Sequence, residues 1–279
     1  MIKASRRGPS FSHVFFADDI MLFAKANAKN CEAIVEVFDT FCSMVGQKIN
    51  YEKSRVFFSP NVTARRKRGV CRRLGIMATS NLGRYLGFPI IHKGRMGRAF
   101  NFILDKVQSK LAGWKTKLLS RVGRLVFVKF AVALIADYYM QCHSIPIKVC
   151  DSIDKLTRDF IWGSMEEKRR MHMVKWSTIT LPKELGGLGL CSMKYRNQAM
   201  LAKLCWRLAH EEGMPWARML QAKYLCPSRM TEAGRKLPYF RIWAACKKGG
   251  PIYVKGLRWT VKNGDLVNMW MDFGFLKGG

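Results

Sequence analysis

Apolar residues along the chain follow first a strand-like and then a helical rhythm. Val14-Phe15-Phe16-Ala17 and Ile20-Met21-Leu22-Phe23-Ala24 are unbroken apolar runs with only Asp18-Asp19 between them, which predicts two buried strands around a tight turn. Ile34, Val35, Phe38, Phe41, Cys42 and Val45 then recur at three- and four-residue spacing, as on an amphipathic helix, and Gly46 stops it. Lys48–Tyr51 and Ser54–Phe58 read as short strands joined by a polar turn at Glu52-Lys53. Tyr85–Ile90 reads as a further short strand with a tight turn. Together these predict an α+β unit over residues 1–95.

Beyond residue 96 the spacing is helical. Phe100, Ile103, Leu104, Val107, Leu111, Trp114 and Leu118 share one helical face, with Lys106, Lys110, Lys115 and Lys117 elsewhere around it. Val149, Ile153, Leu156 and Phe160 form a second stripe after Pro146, and a third helix is expected from Ser192 to His210. Gly186-Gly187-Leu188-Gly189 lacks both a preceding strand and a Gly-Lys-Ser/Thr ending, so it reads as a turn rather than a phosphate loop. Residues 96–225 are thus expected to be mainly helical. Residues 226–279 keep no periodicity and are expected to be irregular.

Charge changes this picture most. Lys and Arg number 49 against 19 Asp and Glu, a net charge of +30. A field of that size attracts polyanions, which puts nucleic acid first among partners and a membrane surface second. From Lys53 to Lys129 a single acid, Asp105, stands against nineteen Lys and Arg. Arg65, Arg66, Lys67, Arg68, Arg72 and Arg73 are the densest block; a solvated basic helix or a nuclear-localisation patch is the plainer account of that block alone. Nine cysteines without a CxxC, and Cys142-His143 without a partner pair, give no zinc site and suggest a reducing compartment. Leu125–Met140 is too short to span a bilayer and is interrupted by Lys129 and Asp137. The expectation is an intracellular chain, in nucleus or cytoplasm, with no membrane partner and no secretion signal.

Asp18 and Asp19 are the strongest candidates for chemistry. Adjacent carboxylates repel unless a cation sits nearby, and hard cations such as Mg²⁺ favour carboxylate oxygens. Asp-Asp alone is a common inert turn pair; apolar flanks on both sides argue for a site.

Ser12-His13-Val14-Phe15-Phe16-Ala17-Asp18-Asp19, followed by Met21-Leu22-Phe23, resembles the palm metal motif of non-LTR retrotransposon reverse transcriptases. Gly46-Gln47-Lys48-Ile49-Asn50-Tyr51-Glu52-Lys53-Ser54 resembles the next palm motif, and Tyr85-Leu86-Gly87-Phe88-Pro89-Ile90 the primer-grip hairpin. Leu111–Lys115, Phe160–Gly163, Pro182–Leu190 and Leu201–Arg207 look like the region after the palm in plant LINE-type elements. The resemblance covers roughly residues 11–225 and is specific because seven motifs keep one order.

It implies a partial polymerase palm followed by a helical thumb or connection region. It also implies two-metal nucleotidyl transfer with Mg²⁺, and an RNA template and DNA primer as partners. Asp18 would ligate the metals and Asp19 would support the site. Lys53 has two readings of equal weight, a general acid for the leaving pyrophosphate and a turn lysine touching phosphate or solvent. Tyr85, Leu86 and Gly87 would position the primer backbone or simply close a hairpin. The family's earlier metal-binding aspartate and Pro-Gln-Gly segment are missing before Asp18. The expectation is therefore weak Mg²⁺ binding, an inactive isolated chain, and as the alternative a non-catalytic basic nucleic-acid-binding remnant of a retroelement.

Overall fold

The computed structural model describes residues 2–3, 8–90, 100–113, 118–163, 170–211, 213–224 and 241–257. Trp114, Lys115, Lys117 and parts of the 226–279 segment lie outside them. The architecture is α+β, with small two-stranded sheets and helices followed by a mainly helical region. The chain divides into two compact units, residues 1–94 with 213–233 and residues 95–212 with 234–279.

In the first unit β1 (Ile2–Lys3) pairs with β2 (Ser10–Phe11), and β3 (His13–Phe16) with β4 (Asp19–Leu22), both antiparallel. The register Phe16↔Asp19 makes Ala17-Asp18 the two-residue turn, with Ala17 at φ 51°. Asp19 therefore belongs to the strand, not to the turn as its sequence suggests. Nor are these strands buried: Val14, Phe15, Phe16, Ile20 and Leu22 are all exposed. Among the described strands β3 and β4 pair only with each other, so neither face of the ribbon is covered by a wider sheet.

The helix α1 (Ala28–Val45) follows the expected stripe. Asn27 caps it, its Oδ1 accepting from the Asn30 N–H at 3.0 Å, and Gly46 at φ 71° ends it. No strand forms at Lys48–Tyr51, because Asn50 is committed to a turn. Its side-chain oxygen accepts from the Lys53 N–H at 3.0 Å, and its carbonyl accepts from the Ser54 N–H at 3.1 Å and the Ser54 hydroxyl at 2.8 Å. β5 (Arg55–Phe57) and β6 (Met77–Thr79) pair in parallel, which requires a crossover, and the crossover is helix α2 (Ala64–Leu74). β7 (Arg84–Tyr85) and β8 (Phe88–Pro89) close a second tight hairpin.

The second unit holds most of the core. Helix α3 (Asn101–Leu111) buries Ile103 and Val107. Next, α4 (Arg121–Phe127) passes through a π-helical turn at Val128–Val132 into α5 (Ala133–Met140) without a break. Helix α6 (Ile147–Trp162) buries Val149, Cys150, Ile153, Asp154, Thr157 and Ile161, while Leu156 and Phe160 are only half-buried. The face turned inward is thus rotated from the predicted stripe, because it carries one Asp and one Thr. After α7 (Trp176–Ile179), a short 3₁₀ turn at Lys183–Leu185 ends in Gly186 at φ 80°. Gly187 packs so closely that an added Cβ would lie 2.0 Å from the Leu181 carbonyl oxygen. This is the expected turn into α8 (Met193–His210), where Ser192 is the N-cap. Helix α9 (Pro215–Tyr224) is grouped with the first unit.

Residues 241–256, predicted irregular, form helix α10 (Arg241–Gly256) with Pro251 inside it. Gly249, Gly250 and Pro251 read as breakers, but Gly249 serves packing: its added Cβ would sit 2.3 Å from the Leu201 carbonyl oxygen of α8. Polar links fix the unit further. Buried Asn197 accepts from the Ile145 N–H and donates to the His143 carbonyl, both at 3.1 Å, and Arg196 grips Asp137 through two hydrogen bonds. No described helix is long and apolar enough to cross a membrane.

Candidate nucleic-acid interface

The sequence-predicted site residues all fall in the first unit. Asp18 and Asp19 are exposed, one in the turn and one at the first position of β4. A two-metal site needs several convergent carboxylates, and among the described residues no three His, Cys, Asp or Glu side chains come together to hold a metal ion. Glu32 on α1 instead faces Arg73 at 4.0 Å, an exposed pair of small energetic weight. The residues present therefore do not fit the two-metal centre that the resemblance implies. Lys53 is exposed in the Asn50 turn, its N–H held but its side chain facing solvent.

Tyr85 and Phe88 pair across a loop of Leu86 and Gly87, both at positive φ, 48° and 78°. Two successive positive φ values make the tight turn whose twist matches the strands, and leucine at such a position costs roughly 1–2 kcal/mol. The Ile90 N–H donates to the Gly83 carbonyl at 2.9 Å and closes the base. The Tyr85 hydroxyl is buried with no hydrogen-bond partner.

The basic block acquires a definite geometry. Thr63 precedes α2 and Gly75, at φ 65°, ends it. At about 100° per residue, Arg65, Arg68 and Arg72 fall within an arc of roughly 60°, with Arg66 and Arg73 beside them. These five are exposed; Lys67 is half-buried. Val70 is buried, and Leu74 and Cys71 are half-buried on the opposite side, against which α1 packs. One face anchors the helix while the other presents five guanidiniums to solvent. The helix is too short and too polar for its periodicity to stand out, and its signal in the sequence is the pair Thr63 and Gly75 around the arginines.

The second unit offers a different kind of interior. Asp154 on α6 receives hydrogen bonds from the Met193 N–H at 3.1 Å and the Ser192 hydroxyl at 2.9 Å, and so caps α8 from a neighbouring helix. Burial pushes its carboxyl above the ordinary value; these bonds and the nearby Trp176 indole pull it back without cancelling the rise. Asp154, Thr157 and Trp176 border a cavity of about 30 Å³ beside the π turn. The Thr157 hydroxyl and the Trp176 indole N–H have no completed hydrogen bond there. That space suits one or two waters and is far below the roughly 300–1,000 Å³ of a cofactor pocket. Sequence reading missed Asp154 and Thr157, since polar residues in a helical stripe look solvent-facing.

No protein-family model matches the chain. It is 31% identical over 188 residues to a putative ribonuclease H protein of Arabidopsis thaliana, a match covering 66% of this chain and 30% of that protein. It is also 29% identical over 136 residues to an uncharacterized mitochondrial protein of Arabidopsis thaliana, covering 48% of this chain and 88% of that one. The chain thus spans under a third of the length of the first relative.

Proposed function

We propose that this chain is a retrotransposon-related protein, derived from the reverse transcriptase region of a non-LTR element, that acts by binding nucleic acid rather than by polymerising it. The observation that carries the reading is the five-arginine face of α2, opposed by an apolar face that holds the helix in place. The name of the first relative, a ribonuclease H protein, points to the same kind of partner. The ordered motifs from Ser12 to Arg207 support the finer origin. Nucleotidyl transfer is left out because Asp18 and Asp19 have no third ligand among the described residues.

RNA template and DNA primer are the partners that the resemblance implies. Electrostatic contacts to phosphate fit both, and Tyr85, Leu86, Gly87 and Lys53 would lie along the same strand. Binding of this kind weakens with salt, with a slope near 0.9 per phosphate contact on duplex DNA. Fluorescence anisotropy with labelled RNA and DNA over a salt series tests it. Replacing Arg65, Arg68 and Arg72 with Gln should lower affinity and flatten the salt slope, by about 0.9 for each lost contact. Asp18→Ala should leave binding unchanged. Absence of binding at low salt would sink the proposal. Mg²⁺-dependent primer extension abolished by Asp18→Ala would overturn its non-catalytic part.

A further inference from the structure

Helices α8 and α10 approach far more closely than helices usually do. The Gly249 Cβ position lies 2.3 Å from the Leu201 carbonyl oxygen and 2.8 Å from the Ala202 nitrogen, so only glycine lets the two backbones touch. One turn along, the Cys205 thiol donates to the Cys246 carbonyl at 3.1 Å. Leu201 faces Gly249 and Cys205 faces Cys246, so the helices run antiparallel and the cysteines occupy matched positions in one register. Ordinary helix pairs stand about 8–10 Å apart, too far for a cystine, which needs Cα atoms about 4.4–6.8 Å apart. Backbone contact at Gly249 removes that obstacle.

We propose that Cys205 and Cys246 form a modification site, a facing thiol pair that a small-molecule disulfide oxidises to an intramolecular disulfide joining α8 to α10. Both are free thiols in the structure. Cys205 is half-buried and reachable from solvent, whereas Cys246 is buried behind it. The two thiols also hydrogen-bond to each other. That bond holds the Cys205 thiol below its ordinary pKa, and together with burial it pushes Cys246 up. Cys205 is thus the attacking sulfur.

Its thiolate attacks one sulfur of oxidised glutathione and expels one glutathione thiolate, leaving a mixed disulfide. The Cys246 sulfur then gives up its proton, forms the Cys205–Cys246 bond and expels the second glutathione. The two cysteines lose two electrons and two protons, and one glutathione disulfide becomes two glutathione thiols. Cys150 should be slow to compete, because burial raises its pKa to about 12.

The test treats the folded full chain with oxidised glutathione, blocks remaining thiols with iodoacetamide, and maps the tryptic peptides. Cleavage releases Leu204–Arg207 and Ile242–Lys247, so the bond shows as these two peptides joined with the loss of two hydrogens. Alkylation of Cys205 should fall about tenfold. The unfolding temperature should rise, and dithiothreitol should reverse both effects. Cys205→Ser should abolish the joined peptide and the temperature rise. Persistent alkylation of Cys205, glutathione left attached to it, or predominance of other pairs such as Cys31 with Cys71 would overturn the proposal.

Discussion

Phe15 and Phe16 in the first unit are 57% and 59% exposed, while Phe100, Ile103, Val132 and Ile153 in the second are all at 2% or less. Both regions are rich in large apolar side chains, but they use them differently. A two-stranded ribbon has two open faces and can shield neither by itself, whereas helices close their apolar stripes on one another. Most of the buried interior consequently belongs to residues 100–208, and the exposed arginine face to residues 64–74. Apolar content thus says little about where a fold is held, and pairing of faces says a great deal.

The largest expected effect that tests this contrast comes from truncating its two ends. Ile103→Ala should destabilise the second unit by about 2–5 kcal/mol, whereas Phe16→Ala should move stability by under about 0.5 kcal/mol. Denaturant titration of the two variants measures both, and a large Phe16 effect would show that the ribbon is covered in solution. Next in size, Gly249→Ala forces α8 and α10 apart and should cost about 1–3 kcal/mol in the same assay.

A pH effect comes third. Burial raises Asp154 above its ordinary 3.8. A carboxyl whose folded pKa lies above its unfolded one favours the fold while protonated, and that contribution fades as pH rises from 3.8 through the folded value. The unfolding temperature of the wild type relative to Asp154→Asn should therefore fall across that window and then level off. A rising difference would mean that the bonds from Met193 and Ser192 outweigh burial. Smallest of all, Glu32→Ala should change stability by no more than about 0.5 kcal/mol, since its pair with Arg73 is open to water.

Helices declared themselves in sequence wherever an apolar stripe ran between clear caps. Asn27 and Gly46 bracket α1, and Ser192 opens α8. Legibility failed where a residue serves a partner distant in sequence. Asp154 and Thr157 turn inward on α6 because α8 and the cavity beside it give them polar neighbours. Gly249 looks like a breaker but is a contact surface for α8. Asn50 has a hydrogen-bonding habit that outcompeted strand formation at Lys48–Tyr51. The basic block was plain as charge, yet its arrangement as a one-sided helix depends on the apolar trio Val70, Cys71 and Leu74, too few to set a visible period. The carboxylate pair was equally plain, but whether it ligates metal depends on what converges from elsewhere, which adjacency cannot report.

The π turn at Val128–Val132 carries a consequence for how this chain tolerates changes in length. One extra residue within a turn rotates all that follows by about 100°. Deleting a single residue there would restore α-helical continuity with α4, but it would swing Asp137 away from Arg196 and carry Ala136 and Met140 off the core. A deletion as small as one codon would thus alter the interior as thoroughly as rewriting the whole of α5. The same deletion between Gln141 and Pro146, where α5 has already ended, would only shorten a connection.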